Sequence, residues 1–132
     1  MLFTANEYQQ LIDNGKTQRK FDTFLPVVKW IIPEFDFTFL AVLIKPFTGE
    51  IEIAHGFGLK DNGKEQLSRA YIRINGNHKE LVGMDARKDN DFVGKFPLWV
   101  YEKIAKEQGT LITNRDTVKV LLDGLVPERE IA

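Results

Sequence analysis

The segment from Phe35 to Phe57 constrains the fold more than any other part of the chain. Phe35 to Ile44 is rich in aromatic and β-branched residues, which suit a pleated, half-buried surface. Both faces are apolar from Phe39 onward, as expected of a strand in the middle of a sheet. Pro46-Phe47-Thr48-Gly49 then has turn chemistry. Glu50 to Phe57 alternates: Ile51, Ile53, His55 and Phe57 share one face, and Glu50, Glu52, Ala54 and Gly56 share the other. The two runs predict an antiparallel hairpin.

Upstream, Thr4-Ala5-Asn6-Glu7 has the spacing of a capping box, and Tyr8, Leu11 and Ile12 give one apolar helical stripe. Asn14-Gly15 predicts a left-handed stop for that helix. Leu25 to Ile32, with Pro26 at its start and Pro33 at its end, reads as a strand or a short helical turn, and its β-branched content favours the strand. Downstream, Lys60 to Lys64 reads as a loop. Arg69 to Ile74 alternates, with Ala70, Ile72 and Ile74 inward and Arg69, Tyr71 and Arg73 outward. Asn75-Gly76 suits a two-residue hairpin turn leading to a strand near Lys79 to Met84. Asp85 to Gly94 carries mixed charge without periodicity, which predicts an exposed loop. Pro97 opens a helix reaching about Gln108, with Leu98, Tyr101, Ile104 and Ala105 as its stripe and Gly109 as its stop. Asn114 or Asp116 caps a last helix bearing Val118, Leu121, Leu122 and Leu125, and the polar tail after Pro127 is expected to fray.

The pattern predicts an α+β fold: an N-terminal helix, an antiparallel sheet of four to five strands, and two C-terminal helices packed on one face. Phe39, Leu43, Ile51, Ile53, Ile72, Ile104 and Leu121 are the expected core. A chain of 132 residues without repeats or long linkers makes one domain over residues 1–132. It has no cysteine, which removes disulfides, thiolate zinc sites and thiol nucleophiles. Its net charge of −1 argues against a strongly basic nucleic-acid binder. The N-terminus lacks the pattern of a signal peptide, and no apolar run is long enough to span a bilayer, so a cytoplasmic protein is expected.

Few residues suggest chemistry. His55, in His55-Gly56-Phe57-Gly58, is a candidate general base, with Asp61 as its acid if the fold brings the two together. The flanking glycines would let a ligand or a second backbone come close. The favoured reading is instead a structural histidine, turned inward with Ile51 and Ile53, its nitrogens satisfied within the fold, beside glycines that serve a bulge. His78 follows the Asn75-Gly76 turn without HxH or HExxH spacing. Asp85, Asp89 and Asp91 alternate with Arg87 and Lys88 and read as a solvated charge run, so no metal is expected. The glycines at 56, 58 and 63 lack the spacing of a phosphate loop, and no cofactor is expected. Arg69, Tyr71 and Arg73 share a strand face that suits either a single-stranded nucleic acid or a protein partner, and Trp99 is a candidate aromatic anchor.

Leu2-Phe3-Thr4, the helix ending Asp13-Asn14-Gly15, Pro26-Val27-Val28-Lys29, Phe39-Leu40 and Gly56-Phe57-Gly58-Leu59 together resemble a small uncharacterised bacterial family often encoded on plasmids and integrating elements. The resemblance covers about half of the chain. The family continues with an acidic Cys-Asp-Leu-Gly stretch where this chain has Lys60-Asp61-Asn62-Gly63, and nothing from Asn75 onward is matched. The resemblance implies an accessory protein of a mobile element or phage. With no catalytic set evident, the leading expectation is a non-catalytic protein acting by protein binding. A small hydrolase using His55 and a single-stranded nucleic-acid binder are the alternatives.

Overall fold

The computed structural model describes residues 2–46, 53–61, 67–75 and 80–131. Helix α1 (Ala5–Lys16) is followed by strands β1 (Val28–Ile32), β2 (Phe37–Pro46), β3 (Ile53–Asp61), β4 (Leu67–Asn75), β5 (Glu80–Leu81) and β6 (Arg87–Lys88), then helices α2 (Leu98–Gln108) and α3 (Arg115–Ile131). Among the described residues the strands form one antiparallel sheet in the order β5-β4-β3-β2-β1-β6. The α+β class and the antiparallel pairing of β2 with β3 are as the sequence predicts, although β3 runs on to Asp61 instead of ending at Phe57; the expected turns at Pro46–Gly49 and Asn75-Gly76, and residues 50–52, lie wholly or partly outside the described residues.

Both faces of the sheet are covered. Phe39, Ala41 and Ile44 of β2 pack with Trp30, Ile32, Ile72 and Ile74 beneath Leu11 of α1. Leu40, Val42 and Leu43 pack with Leu59 beneath Leu98, Tyr101 and Ile104 of α2 and Val118 of α3. Two cores on opposite faces explain why β2 is apolar on both sides. The expected core residues Phe39, Leu43, Ile72 and Ile104 are buried, Leu121 is half-buried, and the side chains of Ile51 and Ile53 lie outside the described part. The Tyr101 hydroxyl is enclosed in the second core, and burial pushes its pKa up.

The end of α1 corrects one expectation. Neither Asn14 nor Gly15 turns left-handed; the helix continues to Lys16 and ends at an extended Thr17. The pair instead docks α1 onto β2. A bulge between Ala41 and Leu43 leaves Val42 without a partner in β3, and Asn14 Nδ2 donates to the Val42 carbonyl at 2.8 Å. A Cβ on Gly15 would stand 2.1 Å from the Ile44 oxygen, so only glycine permits that approach.

Other local signals act as read. Glu7 N–H donates to Thr4 Oγ1 at 3.1 Å and Thr4 N–H to Glu7 Oε1 at 2.7 Å, completing the capping box. Gly109 ends α2 with φ 78°, and Asn114 Oδ1 accepts from Thr117 N–H at 3.0 Å to open α3. Contrary to the expected frayed tail, α3 continues past Gly124 and Pro127 to Ile131.

Two expected loops are partly structure. Lys60 and Asp61 are the last residues of β3, because their pairing with Phe39 and Thr38 outweighs their turn-like composition. Within Asp85 to Gly94, β6 adds to the edge of β1. Lys88 Nζ meets Glu7 Oε1 at 2.7 Å, and Lys29 Nζ meets Asp89 Oδ2 at 3.2 Å. Burial pushes the Asp89 carboxyl up, but the backbone N–H of Asp91 and the Lys29 ammonium outweigh it and hold it below its ordinary value. The acidic run is therefore dispersed. Asp89 braces the edge strand, while Asp85 and Asp91 are exposed.

Candidate interaction face

The outward residues of β4 are placed by pairing with β3. Arg69 stands opposite Leu59, Tyr71 opposite Phe57 and Arg73 opposite His55. Leu59 belongs to the core under α2, so this row occupies the α2 side of the sheet. Helix α2 reaches only one end of it.

At that end Arg69 is clamped. Its Nε and Nη2 donate to the two carboxylate oxygens of Glu102 at 2.9 and 2.8 Å, a two-pronged geometry that only a guanidinium supplies. Nη2 also meets Asp22 Oδ2 at 3.2 Å. The hydrogen bond to Glu102 pushes the Arg69 pKa up, and the same bond holds the Glu102 carboxyl below its ordinary value. Arg69 thus joins β4 to α2 and to the short 3-10 turn at Phe21–Thr23.

This clamp has a pH signature. A carboxyl whose folded pKa is depressed adds stability above its unfolded pKa, about 4.3 for Glu, and that stability is lost as pH falls through the lower folded value. Glu102→Gln should cost about 1 kcal/mol at pH 7, a modest figure because Arg69 is partly exposed. The difference from wild type should shrink below about pH 4, measured as urea-denaturation midpoints across pH.

Further along, the row leaves the cover of α2. Tyr71 is 58% exposed, and its ring stacks on the His55 imidazole with centroids 4.4 Å apart. Arg73 is exposed beside them. The result is a two-ring platform flanked by a guanidinium on a strand pair held by the sheet. Trp99 does not join it as an exposed ring: it is half-buried on α2 against the second core.

His55 and Asp61 are not brought together. They occupy opposite ends of β3, six positions apart and separated by roughly 20 Å of extended chain. Asp61 is buried, and its Oδ2 accepts the Leu111 N–H at 3.1 Å, which ties the connection between α2 and α3 to the sheet. The glycines beside His55 serve the sheet: Gly56 faces Ile72 and Ile74, and Gly58 lies against the Leu40 carbonyl. Among the described residues no group of three or more His, Cys, Asp or Glu could hold a metal ion, and no helix is long and apolar enough to cross a membrane.

Sequence reasoning missed that Arg69 faces a helix. Alternation showed which residues share a face, but only the second core showed that this face is also covered.

Residues 2–112 match the model of a protein family of unknown function, DUF2958. The match extends the N-terminal resemblance to an uncharacterised family through α2 and stops before α3. No curated protein and no solved structure matches the chain.

Proposed function

The chain belongs to the DUF2958 family, whose function is unknown, and from its own surface we propose that it is a non-catalytic accessory protein that binds another protein through the open part of the β3–β4 face. The observation that carries this reading is the exposed Tyr71 ring stacked on His55. Tyr and Arg dominate interface energetics, and a ring already held by a neighbour loses little freedom on binding. The mobile-element setting is supported by the resemblance in the N-terminal half.

Two observations favour a protein partner over the alternatives. Arg69 is neutralised by Glu102 and Asp22, which takes one of the two expected phosphate contacts from a nucleic acid. The distance between His55 and Asp61 removes the acid–base pair on which the hydrolase reading stood.

The test compares wild type, Tyr71→Ala and a Val120→Ala control in affinity capture from the native host, followed by titration of the captured protein. Tyr71→Ala should weaken binding by about 2 kcal/mol or more, roughly 30-fold, while stability changes by less than about 1 kcal/mol. Equal capture by wild type and Tyr71→Ala would reject this face. Binding to oligo(dT) that falls steeply with salt would establish the nucleic-acid reading instead.

A further inference from the structure

The hydroxyl of Tyr101 is an exception within the second core. The side chain is 0% exposed, yet among the described residues its oxygen has no hydrogen-bond partner of ordinary geometry. Buried polar groups are nearly always bonded, because enclosing one without a partner forfeits its hydration. Trp30 meets the same demand in the first core by donating from Nε1 to the Leu2 carbonyl at 2.7 Å.

The fold explains where the hydroxyl points. Long side chains on a helix lean toward its N-terminus. From α2, Tyr101 therefore reaches back to the chain ahead of Pro97, where the backbone N–H groups of Lys95 and Phe96 face its oxygen. Neither closes a hydrogen bond to it, and neither donates to another backbone oxygen among the described residues. The rings of Phe92 and Phe96 stand with centroids 6.1 and 6.2 Å from the Tyr101 ring and wall the same point. The start of α2 brings no acceptor: its N-cap is Pro97, which has no side-chain cap, and the Leu98 N–H is answered elsewhere, by the Phe24 carbonyl at 2.9 Å.

One O–H and two N–H donors thus converge without a protein acceptor among the described residues. Whatever completes them must accept hydrogen bonds and fit an enclosed point. It must also be neutral, because the aromatic walls penalise an unpaired charge. Water meets all three conditions. We propose that one enclosed water sits here, accepting the Tyr101 O–H and one of the two backbone N–H groups and leaving the other N–H to the phenol oxygen. Its role follows from the path of the chain. Residues 89–97 run from the edge strand β6 to α2; Asp89 ties the start of that segment to Lys29 at 3.2 Å, and the water ties its end to the core.

A high-resolution crystal structure of the full chain should show one peak about 2.7–2.8 Å from Tyr101 Oη, within reach of the Lys95 or Phe96 nitrogen. Crystals grown in sodium bromide identify the species: an anomalous signal at that peak would mean an anion and overturn the proposal. So would a structure in which the Tyr101 O–H meets a protein carbonyl directly. Tyr101→Phe supplies the solution test, since it keeps the ring and removes only the hydroxyl. In hydrogen exchange followed by NMR, the Lys95 and Phe96 amides of this variant should exchange about tenfold faster or more, relative to those of Ile104 and Ala105 in α2. Its urea midpoint should also fall, because the water loses a donor. An unchanged or higher midpoint would mean that the hydroxyl was enclosed without a partner, and unchanged relative exchange that nothing joins it to the segment; either result would overturn the proposal.

Discussion

Replacing Trp30 by Ala should cost about 3–5 kcal/mol, a large share of the roughly 5–15 kcal/mol that holds a domain of this kind together. Trp30 is fully buried in the first core and stacks on Phe39 with centroids 5.9 Å apart. Its Nε1 donates to the Leu2 carbonyl at 2.7 Å, so truncation empties a large volume and also strands a buried acceptor. The same bond fixes the segment ahead of α1, where Phe3 lies against both Trp30 and Tyr8. The loss is therefore expected to loosen the seating of α1 as well as the sheet. Trp30→Phe keeps most of the volume and should cost roughly 1–3 kcal/mol, the part due to the hydrogen bond and the smaller ring. Urea denaturation followed by circular dichroism separates the two variants, and a cost below about 2 kcal/mol for Trp30→Ala would mean that the first core is not organised around this ring.

What the sequence revealed and what it hid divide along a physical line. Signals complete within one turn of helix or one strand were legible. The Thr4–Glu7 capping box and the Gly109 stop form as read, and so does the antiparallel pairing of β2 with β3, each between residues close in sequence. Interactions set by packing were not legible. Asn14-Gly15 has the chemistry of a helix stop, but the bulge at Val42 supplies a carbonyl that the Asn side chain answers better than solvent does. Lys29 meets Thr113 across 84 positions, which no periodicity foretells. Of the sequence-derived site residues, Tyr71, His55 and Arg73 come together on one open stretch of sheet. Arg69 and Asp61 are drawn into the structure instead.

Gly56 and Gly58, close to His55, should respond very differently to the same substitution. A Cβ on Gly58 would lie 1.9 Å from the Leu40 oxygen and 2.8 Å from its carbonyl carbon. Those are backbone atoms of a buried neighbouring strand, next to the β2 bulge, and they cannot yield without shifting the ladder. A Cβ on Gly56 would meet Ile74 Cδ1 at 2.9 Å and Ile72 Cγ2 at 3.4 Å, the ends of side chains that can turn aside. Removing either glycine stiffens the unfolded chain and so favours folding by about 0.4–1 kcal/mol. At Gly56 that gain should offset most of the crowding, leaving a net change within about 1 kcal/mol. At Gly58 the overpacking cost of roughly 3 kcal/mol or more outweighs it, and Gly58→Ala should be strongly destabilised. Paired denaturation curves decide the matter. Comparable stability of the two variants would mean that β2 and β3 are not held in close backbone contact at this point, and that Gly58 has some role other than admitting the second strand.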